Sequence, residues 1–139
     1  MTSDDQAALA TPTSDRSSEA TRGVIEPFVE LFYGQRAIRA AMEAYVTNDY
    51  VQHNPGVADG REAAIVALEA SIAGSDLHLD IQRVLVDGSF AVIHLHAWRD
   101  GQRGGSVVDM YRIEDGLIVE HWDVIQQVPE SAANPHPMF

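Results

Sequence analysis

No cysteine occurs among the 139 residues. That excludes disulfides, thiolate zinc sites and cysteine nucleophiles, and it agrees with a reducing compartment. Basic residues are scarce: 9 Lys and Arg stand against 21 Asp and Glu, for a net charge of −12. A nucleic-acid binder needs a basic patch, and an anionic membrane surface attracts one, so neither partner is expected. The same charge repels acidic ligands at long range and leaves neutral or weakly polar ones favoured. No apolar run is long enough for a membrane-spanning helix. The N-terminus lacks the basic start and apolar stretch of a secretory signal, and a cytoplasmic location is expected.

What is present suffices for one domain with a water-excluding core, since 45% of the residues are hydrophobic. Residues 1–22 are Ser, Thr, Ala and Asp with almost no large apolar side chain. They bury too little to offset ordering entropy, and a disordered tail is expected there. The domain is placed at 23–128 and a C-terminal tail at 129–139, whose last residues, Pro137-Met138-Phe139, can dock on an apolar surface.

Val24, Ile25, Phe28, Leu31 and Phe32 recur at helical spacing, and Gly34 interrupts them. A second stripe runs through Ala37, Ile38, Ala41, Met42 and Tyr45. Tyr50 to Asn54 is a short extended piece before the Pro55-Gly56 turn. A third helix starts near Arg61, carries Ala64, Ile65, Leu68 and Ile72, and stops at Gly74. The period then changes from helical to alternating. Four apolar segments follow, around Leu77–Ile81, Phe90–Trp98, Ser106–Ile113 and Leu117–Ile125, separated by Asp87-Gly88, Asp100-Gly101 and Asp115-Gly116. Asp-Gly between alternating runs is a strong hairpin signal. The expected architecture is α+β: three N-terminal helices packed on a curved four-stranded antiparallel meander. Long strands curl, which predicts a conical cavity under the helices.

Three motifs resemble a known family: Tyr50-Val-Gln-His-Asn-Pro55 with Asp59-Gly60-Arg61-Glu62, Val108-Asp109-Met-Tyr-Arg-Ile113, and Val119-Glu-His-Trp-Asp123. Over residues 24–128 the chain resembles the SnoaL-like polyketide cyclase branch of the NTF2-like superfamily, and it is similar to ketosteroid isomerases. The resemblance implies a cone-shaped α+β barrel, a deep apolar pocket, often a homodimer, and aldol closure or carbonyl-adjacent proton transfer without metal or cofactor. Some members of the superfamily bind or transport ligands, and some hydrolyse epoxides, so the fold alone does not fix the function.

The candidate catalytic residues are Asp109, His121, Asp123 and His53. Asp109 shares a strand face with Val107, Tyr111 and Ile113. It is either a structural carboxylate bonded to its neighbours or a site residue. A carboxyl kept protonated in an apolar site can donate a hydrogen bond to an enolate oxygen. The resemblance implies that role, because Asp109 matches the position of the isomerases' neutral carboxyl donor. His121 and Asp123 alternate onto one face with Leu117, Val119 and Ile125, either as a structural pair or with His121 as base or donor and Asp123 as its orienter or as the acid/base itself. Glu120 and Trp122 then face the other side. His53 stands where isomerase-like relatives place their proton-abstracting carboxylate, a departure that weighs against steroid-type isomerisation.

Candidate substrate contacts are Tyr33, Tyr50, Asn54, Tyr111, Ile93, Leu95 and Ile125. His94 and His96 have the spacing of a strand metal pair but lack a third ligand, and no metal site is expected. With Trp98 they are assigned to the outer sheet face as an interface. Arg112 alternates away from Asp109, which weighs against an epoxide-hydrolase set of Asp-Arg-Asp type. The expected function is acid/base chemistry beside a carbonyl group of a small apolar or weakly polar ligand, with no cofactor. The alternative is a noncatalytic ligand-binding or dimeric interaction module.

Overall fold

The computed structural model describes residues 3–139, with side chains from residue 16 onward. Its elements are helix α1 (Ser3–Val29), a π-turn (Glu30–Gly34), α2 (Ile38–Tyr45), strand β1 (Val46–Gln52), α3 (Arg61–Ser71), β2 (His78–Asp87), β3 (Phe90–Trp98), β4 (Gly105–Glu114) and β5 (Leu117–Gln127). The strands form one sheet in the order β1-β5-β4-β3-β2. Helical spacing and the Asp-Gly turns thus gave three helices and a meander in the expected order. The turn before β5 has both central residues in the left-handed region, Asp115 at φ 52° and Gly116 at φ 79°, as a tight hairpin turn requires.

The sheet corrects the expected meander in two ways. It has five strands rather than four, and it is open rather than a closed barrel. The fifth strand is β1, which pairs parallel with β5. No hairpin links these two strands, so no local turn signal announces the pairing. β1 nonetheless carries two core residues, Val46 and Tyr50, which are nearly fully buried.

The N-terminal boundary also moves. α1 extends from Ser3, where no regular structure was expected before residue 23; Met1 and Thr2 lie outside the described residues. Its docking is visible at Thr21, 2% exposed, whose hydroxyl donates to Gly88 O at 2.6 Å. Ser18 Oγ accepts from Gly88 N–H at 3.0 Å. These two bonds hold the β2–β3 turn against the helix and satisfy backbone groups the hairpin leaves free.

At the C-terminal end of the first helical stripe the chain widens into the π-turn, with Gln35 N–H bonded to Glu30 O at 2.8 Å. The extra residue per turn lets Phe32 and Tyr33, adjacent in sequence, both face the core at 6% exposure. One continuous core joins Ile25, Phe28 and Phe32 of the helical layer to Ile93, Leu95 and Ile118 of the sheet.

A bulge in β5 corrects the expected face of that strand. Arg112 pairs with Glu120, but Ile113 pairs with Ile118, so Val119 is the extra residue. Ile118 and His121 therefore both point inward, three residues apart, and Ile118 is fully buried. Leu117 and Val119 do not share the buried face of His121, and Ile125 is half-exposed at the strand's far end.

The outer face carries His94, His96 and Trp98 as expected. His96 stacks between Trp98 and the terminal Phe139, with ring centroids 4.4 and 3.9 Å away. Ser106 Oγ donates to Met138 O at 3.1 Å. The C-terminal residues, which have no helix or strand, thus cover part of the face expected to serve as an interface.

Gly104 is the tightest point of the β3–β4 connection. Its φ is +70°, and a Cβ there would overlap Ala97 O and lie 2.6 Å from Trp98 Cβ. Gly104→Ala is expected to destabilise the fold by at least about 2 kcal/mol, read as a lower urea midpoint with an unchanged slope.

Candidate active site

Period-two alternation in β4 aims Val107, Asp109 and Tyr111 at the helices, and register sets Asp109 opposite Asp123 and Tyr111 opposite His121. In β1, Tyr50 and Gln52 alternate inward, and Asn54 follows them just past the strand end. Together with Tyr33 from the π-turn these residues line one pocket of about 130 Å³. Its other walls are apolar, among them Phe28, Phe32, Met42, Leu68, Leu95 and Ile118.

A continuous hydrogen-bonded chain crosses the pocket. Gln52 Nε2 donates to Tyr50 Oη at 2.9 Å. Gln52 Oε1 lies 2.7 Å from His121 Nδ1. His121 Nε2 lies 2.9 Å from Asp109 Oδ1. Tyr33 O–H donates to Asp109 Oδ2 at 2.7 Å. That uses Tyr33's single proton, so Tyr111 O–H donates to Tyr33 Oη, 2.7 Å away. A second unit sits beside the chain: Asn54 Nδ2 donates to Asp123 Oδ2 at 2.7 Å. No buried side-chain nitrogen or oxygen lacks a partner among the described residues.

The phenols in this chain are held neutral. Burial, followed by the adjacent Asp109 charge, pushes both Tyr33 and Tyr111 well above the ordinary phenol value. Burial raises Tyr50 to about 12, partly offset by the Gln52 hydrogen bond. At neutral pH all three keep their protons, those of Tyr33 and Tyr111 being donated within the chain to Asp109 and to Tyr33.

Asp109, His121 and Asp123 offer one ligand atom each, all within 4.8 Å of one another, and among the described residues they are the one group that could hold a metal ion. Two of those atoms already share a hydrogen bond, 2.9 Å long between His121 Nε2 and Asp109 Oδ1. A cation would have to take the place of that proton.

The structure brings together Asp109, His121, Asp123, Tyr33, Tyr50, Asn54, Tyr111 and Leu95 of the expected residues. It does not bring His53, Ile93 or Ile125 to the pocket. Ile93 is fully buried in the core instead. His53 is one step out of phase with Tyr50, Gln52 and Asn54, so it turns to the opposite face. There its ring stacks on Trp122 at 4.8 Å, and Nε2 bonds to Glu120 Oε2 at 2.7 Å. His53 and Arg112 together lower the Glu120 carboxyl below its ordinary range. The bond of Arg112 to Glu120, 2.9 Å long, confirms that this guanidinium lies away from Asp109. Sequence reasoning missed Gln52, although its alternation with Tyr50 and Asn54 was the signal that could have found it.

Helices laid across one face of an open, mostly antiparallel five-stranded sheet, with the polar groups of a pocket on that face, define an NTF2-like α+β fold. The chain belongs to the SnoaL-like domain family, whose sequence model matches residues 25–121. Solved structures agree on the fold. A candidate ketosteroid isomerase from Kribbella flavida DSM 17836 is 21% identical, with 87% of each chain covered and a TM-score of 0.70. An NTF2-like protein of unknown function from Mesorhizobium loti is 24% identical, covering 78% of this chain and 93% of its own, at TM-score 0.67. A candidate polyketide cyclase from Acidithiobacillus ferrooxidans is 17% identical, covering 76% and 87%, at TM-score 0.60. No curated protein sequence gives a significant match.

The three phenols set a pH dependence. In the unfolded chain they ionise at the ordinary 10.0, whereas the folded chain keeps them protonated further up. Their contribution to stability is full below pH 10.0 and is lost as pH rises above it, through about 12 for Tyr50. Each phenol contributes a slope of up to about 1.4 kcal/mol per pH unit in that window. Urea midpoints are expected to fall steeply above about pH 10, and Tyr33→Phe is expected to flatten the fall.

Proposed function

We propose that this protein is an acid/base enzyme that removes a proton next to a carbonyl group in a small, weakly polar substrate. The carrying observation is the convergence of Asp109, His121 and Asp123 within 4.8 Å in a pocket whose remaining lining is mostly apolar. Two carboxylates with different partners are suited to different roles. Asp123 has one oxygen held by Asn54, and its Oδ1 has no protein partner among the described residues. It is assigned as the base. Asp109 and His121 hold a proton between them and are assigned as the donor pair.

In the proposed reaction the Asp123 carboxylate takes the proton from the carbon next to the carbonyl. The C–H electron pair becomes the enolate, and the oxygen bears the charge beside the Asp109–His121 pair, whose shared proton turns from its partner to the enolate oxygen. In a pocket with apolar walls such a directed hydrogen bond is worth far more than in water. The enolate carbon then attacks a second carbonyl of the same molecule, forming the ring C–C bond, and the new alkoxide recovers the proton from Asp123. Return of the proton to a different carbon would give isomerisation from the same groups. All nine basic residues are arginine, so no lysine is present to form a Schiff base with the substrate carbonyl.

The pocket volume narrows the substrate. About 130 Å³ is close to the roughly 150 Å³ cavity that encloses one benzene ring. Single-ring ketones and short β-keto esters fit this space, and a larger substrate would extend out through its open mouth.

The test is a product screen on such compounds with wild type, Asp123→Asn, Asp109→Asn and His53→Ala. Turnover is expected to fall by roughly 10²- to 10⁴-fold in Asp123→Asn and to fall in Asp109→Asn, with the fold retained. His53→Ala is expected to stay within a few-fold of wild type. Unchanged turnover in Asp123→Asn would overturn the assignment of the base. Saturable binding with no product in any variant would make the protein a ligand-binding module.

A further inference from the structure

His121 is bonded at both ring nitrogens, and the identity of those partners decides where its protons lie. Gln52 Oε1 faces Nδ1 at 2.7 Å. The orientation of that amide is fixed by the backbone, because Asn54 N–H donates to the same oxygen at 2.9 Å. A backbone N–H can only donate, so the atom facing His121 is an oxygen, and an amide oxygen can only accept. Nδ1 therefore carries a proton. At the other nitrogen, Nε2 and Asp109 Oδ1 are 2.9 Å apart, and two lone pairs would repel at that distance. One proton lies between them. Either a neutral imidazole accepts from a protonated Asp109, or an imidazolium donates to a carboxylate. The pair carries no net charge in both cases.

Asn54 is oriented in the same way. Gly56 N–H donates to Asn54 Oδ1 at 2.7 Å, which leaves Nδ2 as the donor to Asp123 Oδ2. One short segment, Gln52 to Asn54, thereby supplies an acceptor to His121 and a donor to Asp123. The acceptor requires a second proton on the Asp109–His121 pair. The donor occupies one oxygen of Asp123 and leaves the other without a protein partner among the described residues.

We infer that Gln52 is a positioning residue that fixes the proton inventory of the site, keeping the Asp109–His121 pair neutral and proton-bearing and leaving Asp123 as the single base. This rests on the acid/base reading of these three residues and deepens it. Without an acceptor at Nδ1, the neutral imidazole would turn its one proton to Nε2, donate it to an Asp109 carboxylate, and leave two anions within 4.8 Å of each other. The site would then hold one proton fewer and repel a developing enolate.

The experiment reads the tautomer directly, from imidazole proton–nitrogen correlation spectra of the full chain labelled with heavy nitrogen. His121 signals are identified by their loss in His121→Gln. Nδ1 of His121 is expected to be protonated in wild type and in Gln52→Glu, which keeps an acceptor oxygen. It is expected to be bare in Gln52→Leu, with the proton on Nε2. In turnover, Gln52→Leu is expected to lower kcat by on the order of 10²-fold or more with KM little changed, and Gln52→Glu to restore much of it. A bare Nδ1 in wild type would overturn the inference even if Gln52→Leu does not fold. So would a protonated Nδ1 in a folded Gln52→Leu. Because the tautomer is read without substrate, the expected spectra in a protein that turns nothing over would uphold Gln52's role and overturn only the enzymatic reading.

Discussion

The parallel pairing of β1 with β5 is the contact on which the pocket depends. Gln52 stands opposite His121 in this register, and His53 N–H bonds to His121 O at 3.0 Å just beyond it. The pairing closes one side of the pocket and brings two amide side chains onto the two inward-facing ionisable residues of β5, His121 and Asp123. Removing β1 and the residues that follow it would leave His121 with one of its two side-chain partners and Asp123 with none among the described residues. Buried polar groups without partners cost roughly 1–3 kcal/mol each, so the strand that seems peripheral in the sheet order is the one the site needs.

The chain from Tyr50 to Tyr111 gives every buried polar side chain a partner among the described residues. A fully satisfied network in a low-dielectric setting is rigid, because any rotation leaves a group unpaired. Backbone N–H groups at Asn54 and Gly56 set the amide orientations, and the strands set the spacing of the carboxyl groups. The loop that follows β1 is itself tied down, with Gln52 N–H donating to Asp59 Oδ1 at 2.7 Å and Gly60 N–H to Tyr50 O at 3.3 Å. The site is preorganised by covalently short connections on one side and by sheet register on the other.

The two faces of the sheet divide the polar residues by role. Inside, the groups are few, buried and joined to each other. Outside, His53, Glu120, Arg112 and Glu114 form a solvent-facing ion network, and His78, Trp98, His96 and Phe139 form a stack of rings. Exposed ion pairs of this sort contribute little to stability. The stack has a clearer structural effect, since it anchors the end of a chain segment that has no helix or strand of its own.

Much of this was legible in the sequence wherever the signal was local. Apolar residues at helical spacing marked α2 and α3 and the core-facing end of α1, Asp-Gly pairs marked the hairpins, and alternation in β4 placed Asp109 and Tyr111 on the inner face. Those patterns depend on bonds between residues close in the chain. His53 shows the limit: its motif suggested a site residue, but its phase with Tyr50 placed it on the opposite face. The bulge at Val119, the π-turn that admits Tyr33 and the partnership of Gln52 with His121 left no such mark. Each is set by the register of segments about 70 residues apart or by what a neighbouring element leaves room for. The sequence by itself determined most of the elements, their order and the chemical types available for a site. Only the tertiary structure decided which of those groups share a proton, because that depends on distances that no local pattern encodes.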